Sequence, residues 1–138
     1  MLKIKSFRNP DYLRYVRSHC SLLSWDPPAE PWPDAEDPLF DPLSFETVAH
    51  HVRMGGNGGV GLKPSDYRTV PLTDGEHRAL HQTGERSWWL EHGVDPRRVI
   101  IALLSGYVGG SWPDLDRIPE EKLDEAIKTL ESIAESAR

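Results

Sequence analysis

Two short apolar runs stand out in the pattern of hydrophobic and polar positions along the chain. The first covers residues 45–52 and contains the pair His50-His51, and the second covers residues 67–72. Both runs carry β-branched and aromatic residues, and a glycine-rich loop over residues 55–61 separates them. This arrangement predicts two short β-strands joined by a flexible connection.

Helix signals lie on both sides of these runs. The dipeptides Asn-Pro at positions 9–10 and Asp-Pro at positions 95–96 each place a capping side chain before a proline, which favours the start of a helix. Residues 76–81 predict a further helix, and residues 84–90 predict one or two more helical turns that end at Gly93.

The last predicted helix spans about residues 119–137, because apolar residues recur there at helical spacing. These residues are Leu123, Ala126, Ile127, Leu130, Ile133 and Ala134. Such a face packs either on the rest of its own domain or on a second copy of the chain, which would form a homodimer. The sequence leaves both arrangements open.

Length and composition favour one globular domain over residues 1–138, with 38% hydrophobic and 28% charged residues. No apolar run approaches the roughly 20 residues that a membrane span needs. The start of the chain lacks the apolar core of a signal peptide, and Cys20 is the single cysteine, so no internal disulfide can form. We therefore expect a cytoplasmic protein without a membrane partner.

The formal net charge of -6 is unevenly distributed. Residues 26–46 hold seven acidic side chains and no Lys or Arg, and residues 26–44 hold six of the twelve prolines. Prolines at this density exclude a helix or a central strand, so residues 26–44 are predicted to form an acidic insertion loop. The segments that carry the histidines are mildly basic, which leaves DNA open as a partner.

Four of the six histidines lie between residues 50 and 81. His77 and His81 are four residues apart, so on a helix their side chains lie one above the other and can share a metal ion. Either His50 or His51 can supply a third ligand. Neighbouring residues on a strand face opposite ways, so the other member of the pair remains to act as a base.

The order His-His, loop, strand, and His-x-x-x-His on a helix resembles the HNH, or ββα-metal, nucleases. Within that superfamily the wording is similar to phage-encoded nucleases of the Ref, or recombination-enhancement, type, over residues 45–93. The resemblance implies an α+β fold in which two antiparallel strands and a helix clasp one ion. Additional helices, including those predicted over residues 95–138, would surround this finger.

The resemblance also implies a DNA endonuclease with His51 as general base and with His50, His77 and His81 as metal ligands. It implies one divalent ion, Mg²⁺ or Mn²⁺ in turnover, while three imidazoles also suit Zn²⁺ or Ni²⁺. Relatives of the Ref type act with recombinase filaments, which implies a recombination or phage-encoded protein as a partner beside DNA.

The sequence departs from the family pattern at two places. The family's middle asparagine, which braces the base, falls at Arg68, and Asp66 is the nearby side chain that can accept a hydrogen bond from His51 instead. Two cysteines of a structural zinc knuckle are replaced by Thr73 and Glu76, so apolar packing is expected to hold the scaffold.

Three basic side chains near the predicted site are candidates for contacts with nucleic acid: Arg53, Lys63 and Arg68. A second interpretation of the same histidines is a non-catalytic, metal-stabilised DNA-binding or adaptor module. A zinc peptidase is disfavoured, because its His-Glu-x-x-His signature is absent.

Overall fold

The computed structural model describes residues 7–19, 21–24, 47–53, 64–109 and 117–138. The predicted acidic loop, the glycine-rich loop, Cys20 and Lys63 lie outside the described residues.

The described residues form an α+β arrangement, as the sequence predicts. Single 3₁₀ turns lie at Leu22–Ser24 and Glu120–Lys122. The helices and strands are α1 (Pro10–Arg17), β1 (Val48–His51), β2 (Thr69–Leu72), α2 (Asp74–Thr83), α3 (Glu85–His92), α4 (Pro96–Val108) and α5 (Leu123–Ser136).

Strands β1 and β2 pair in antiparallel orientation, with His50 opposite Val70 and His51 opposite Thr69. All four residues of β2 are buried, whereas within β1 only His50 is fully buried. The chain leaves β2 and enters α2 after a single capping residue, Thr73. This short connection holds α2 beside the ribbon, as in a ββα unit.

Side-chain caps fix where the helices begin, as the sequence predicts for α1 and α4. The Asn9 side chain accepts the amide N–H of Tyr12, and Asp95 accepts that of Arg97. At α2, Thr73 and Glu76 form a reciprocal capping box. Thr73 and Glu76 stand where the HNH nucleases have zinc-binding cysteines, and here they cap the start of α2.

Most of the apolar face of α5 packs on α4 and the rest of its own domain, as in the first of the two predicted arrangements, while Ile133 is 43% exposed. Leu123, Ile127 and Leu130 of this face are fully buried, and α4 contributes Ile100, Ile101 and Leu104 to the same core. Trp88 and Trp89 of α3 are buried as well.

Arg68, just before β2, joins the ribbon to α5. Its Nε donates to Glu131 at 3.1 Å and its Nη1 donates to Asp124 at 2.7 Å. The guanidinium is buried between these carboxylates. The prediction that Arg68 contacts nucleic acid is therefore wrong, because its charged group is not accessible at the surface. Burial raises the pKa of Glu131 despite the neighbouring Arg68. Burial would also raise the pKa of Asp124, but hydrogen bonds and positive charge from Arg68 and Lys128 outweigh it and lower this pKa.

Candidate metal centre and neighbouring histidine

His50, His77 and His81 converge on one point between β1 and α2. One ligand nitrogen of each lies within 4.8 Å of the other two. The Nε2 atoms of His77 and His81 are 3.1 Å apart, and the ring of His50 lies 5.1 and 5.8 Å from theirs, centroid to centroid. The predicted convergence of these three imidazoles is confirmed.

The dimensions of this cluster suit a divalent ion. Three nitrogens bound tetrahedrally at about 2.0–2.1 Å from an ion are separated from one another by about 3.3 Å. The Nε2 atoms of His77 and His81 are already close to that separation, and the ligand nitrogens of all three residues lie within 4.8 Å of one another. The residues therefore can hold a metal ion, and neutral imidazole is the right donor for it.

Electrostatics favour the neutral form of His77. Burial lowers the pKa of its imidazole, and the nearby rings of His50 and His81 lower it further, since a proton on one ring repels a proton on the next. A metal ligand has to be deprotonated, so this crowding makes His77 ready to bind a cation at neutral pH.

Glu85, the first residue of α3, is a member of the site that the sequence reasoning missed. Its Oε1 lies 3.0 Å from Nε2 of His50 and also accepts the amide N–H of Arg53 and the indole N–H of Trp89. Burial alone would raise the pKa of Glu85, but these hydrogen bonds outweigh it and lower the pKa. A signal was present, because Glu85 follows His81 by the same four-residue step that separates His81 from His77.

Gly84 determines how Glu85 is presented. It ends α2 and begins α3 with φ of 96° and ψ of 134°, a conformation that favours glycine. The turn interrupts the helix between His81 and Glu85, and Glu85 then reaches back toward β1.

His51 contacts a different carboxylate from His50. Its Nε2 lies 2.9 Å from Oδ1 of Asp66, which confirms the predicted hydrogen bond. The other oxygen of Asp66 accepts the backbone N–H of Asn9 at 2.7 Å, and Arg8 donates to Oδ1 at 3.3 Å. Burial would raise the pKa of Asp66, but the bonds from His51 and Asn9 and the charge of Arg8 together lower it.

The exposure of His51 and of the nearby cations bears on substrate access. The His51 side chain is 18% exposed, compared with 5% for His50. Arg53, two residues further on, is exposed, and the Arg8 side chain is 43% exposed beside Asp66. Arg8 therefore places positive charge beside the carboxylate that contacts His51.

Comparison with protein-family models, curated proteins and solved structures finds no match for this chain. The resemblance to HNH nucleases therefore depends on the order and spacing of the residues from His50 to His81. No helix in the described part of the chain is long and apolar enough to cross a membrane.

Proposed function

We propose that this protein is a metal-dependent DNA endonuclease of the HNH type. The observation that carries the proposal is the pairing of two sites on adjacent residues. His50 joins His77 and His81 in a cluster that can hold a metal ion, while His51 beside it is hydrogen-bonded to Asp66. An imidazole base that is held in a fixed orientation next to a divalent cation is an arrangement suited to phosphodiester hydrolysis.

His51 would act as the general base. When the Asp66 carboxylate accepts the Nε2 proton of His51, the lone pair of the ring lies on Nδ1, which takes the proton from water. The water oxygen then forms a bond to phosphorus as the bond from phosphorus to the 3′-oxygen breaks, and solvent protonates the leaving oxygen. A base positioned in this way contributes about 10²- to 10⁴-fold in rate.

His50, His77 and His81 would hold one divalent ion. When bound, the ion stabilises the charge that develops on the phosphoryl and leaving oxygens. Three imidazoles bind Zn²⁺ or Ni²⁺ more tightly than Mg²⁺ or Mn²⁺, while the latter are the ions we expect in turnover. Arg8 and Arg53 supply positive charge for the phosphate backbone, and Lys63 remains a third candidate that lies outside the described residues.

A non-catalytic role is the second candidate, and one observation favours it. The three ligands come from two elements, β1 and α2, so an ion would cross-link the ribbon to the helix and stabilise the fold whether or not cleavage occurs. In that case the chain would be a metal-stabilised DNA-binding or adaptor module.

A cleavage assay separates the two candidates. Supercoiled, linear and single-stranded DNA would be incubated with the protein while Mg²⁺, Mn²⁺, Ni²⁺ or Zn²⁺ is titrated, at several salt concentrations. We expect nicking of supercoiled DNA that weakens as salt rises, because phosphate contacts are screened. Absence of cleavage with every ion at any protein concentration would leave the binding module as the function.

Variants assign the roles. We expect His51→Ala to lower the cleavage rate by about 10²- to 10⁴-fold with ion binding nearly unchanged, and His81→Ala to weaken both. His92→Ala serves as the matched control, because His92 is an exposed histidine on α3 outside the cluster. If His51→Ala loses the ion, the roles assigned to the histidine pair are wrong.

A further inference from the structure

Glu85 contacts the metal centre without belonging to its three ligands. Its carboxylate lies against Nε2 of His50 at 3.0 Å, and its side chain is only 16% exposed. His51, on the other face of β1, contacts a different carboxylate, that of Asp66.

The position of the Glu85 carboxylate is fixed independently of His50. The same oxygen, Oε1, accepts the backbone N–H of Arg53 at 3.2 Å and the indole N–H of Trp89 at 3.3 Å. Trp89 is 1% exposed and its ring packs 6.2 Å from that of His50, centroid to centroid. A core residue and a backbone amide therefore hold this oxygen where the His50 ring meets it.

A neutral imidazole carries one N–H donor and one acceptor lone pair. A carboxylate oxygen at hydrogen-bond distance accepts a proton and cannot donate one, so it selects the tautomer of His50 with hydrogen on Nε2. The lone pair of that tautomer lies on Nδ1, which becomes the ligand atom.

We propose that Glu85 is the positioning residue of this metal centre and fixes His50 as a ligand through Nδ1. The proposal rests on the metal site of the proposed function. The negative charge of Glu85 also offsets part of the charge of a divalent ion that three neutral imidazoles leave uncompensated. The cation class that this set favours is a transition ion such as Zn²⁺.

Zinc binding by the whole chain tests the proposal without reference to cleavage. Competition with a chromophoric chelator would give the dissociation constant for Zn²⁺ of the wild type, Glu85→Gln and the control Glu91→Gln. Glutamine keeps the size of the side chain and removes its charge. Glu91 lies exposed on the same helix, six residues further on.

We expect Glu85→Gln to weaken zinc binding roughly 10- to 100-fold, the usual effect of losing an outer partner of a ligating histidine, and Glu91→Gln to leave it within about twofold. Equal affinities of the wild type and Glu85→Gln would overturn the role of Glu85 and leave the three-histidine site intact. Failure of the wild type to bind zinc would overturn this inference and the metal site of the proposed function together.

A spectroscopic measurement on the wild type covers the case in which Glu85→Gln does not fold. Long-range ¹H–¹⁵N spectra of the histidine side chains report which ring nitrogen carries hydrogen. In the zinc-bound protein we expect His50 to keep its proton on Nε2. A proton on Nδ1, with zinc on Nε2, would refute the proposal.

Discussion

His50 and His51 are neighbours on β1, and each places Nε2 about 3 Å from a carboxylate, yet their surroundings differ. His50 is buried against two further imidazoles and Trp89, and its carboxylate partner comes from the helix that follows α2. His51 is more exposed, and its partner Asp66 is held by Asn9 and by the cation Arg8. The alternation of a strand thus gives one residue type two chemical settings in consecutive positions.

The pairing register of the ribbon determines which partners each histidine contacts. A slip of one residue would exchange the faces, and so the partners, of His50 and His51. The contacts that fix β2 against the rest of the fold therefore also maintain the proposed distinction between a metal ligand and a general base.

The largest effect is expected from breaking the anchor of β2. Arg68→Ala leaves Glu131 buried without its cation, so we expect a loss of about 3–5 kcal/mol in the free energy of unfolding, as for other buried pairs that lose one partner. Chemical denaturation would measure it. The control is Arg86→Ala, an exposed arginine on α3, for which we expect a change within about 0.5 kcal/mol.

The double variant Arg68→Met with Glu131→Gln removes the buried carboxylate that Arg68→Ala leaves without its cation. It should therefore recover part of the lost stability. If Arg68→Ala were as stable as Arg86→Ala, the ion pairs with α5 would not be what holds β2 in register.

A smaller effect follows from adding metal. At a free zinc concentration about 100 times the dissociation constant, binding to the folded state alone adds about 2.7 kcal/mol. We expect the Tm of the wild type and of His51→Ala to rise with zinc, and that of His50→Ala to rise far less. Calorimetric scans would measure the shifts. A zinc response that survives in His50→Ala and disappears in His51→Ala would show that His51, and not His50, is the metal ligand.

The smallest effect is expected in the free energy of unfolding when the pH is lowered. Because the pKa of Asp66 is lowered in the folded state, its carboxylate contributes stability above its unfolded pKa of about 3.9, and this contribution is lost as pH falls through the folded pKa. The stability difference between the wild type and Asp66→Asn should therefore shrink from about pH 5 to pH 3. Denaturation curves at several pH values would show it, with Asp11→Asn, exposed on α1, as the control. A difference that grows toward acid would contradict the lowered pKa.

The sequence predicted those parts of the fold and site that local chemistry determines. The helix starts at Asn9-Pro10 and Asp95-Pro96 follow from capping groups within a few residues. The convergence of the histidines follows from the periods of a strand and a helix, and the bond from His51 to Asp66 spans only fifteen residues.

The partners of Arg68 and the contacts of Glu85 could not be predicted from the sequence, because local chemistry does not determine them. Arg68 meets carboxylates 56 and 63 residues away, and only the packing of α5 brings them together. A basic residue beside a predicted site is expected to be a surface cation, since the sequence does not show which side chains are buried. Glu85 depends on the direction that the chain takes after Gly84.

Gly84 has a practical consequence for any redesign of the proposed metal site. Space exists for a side chain at this position, since a Cβ built there meets nothing within 4 Å, so the obstacle to replacing it is the backbone angle alone. A bulkier residue would be accommodated only if the chain relaxed, and relaxation would carry the carboxylate of α3 away from the strand. Engineering of selectivity should therefore vary the donor side chains and keep this joint as it is.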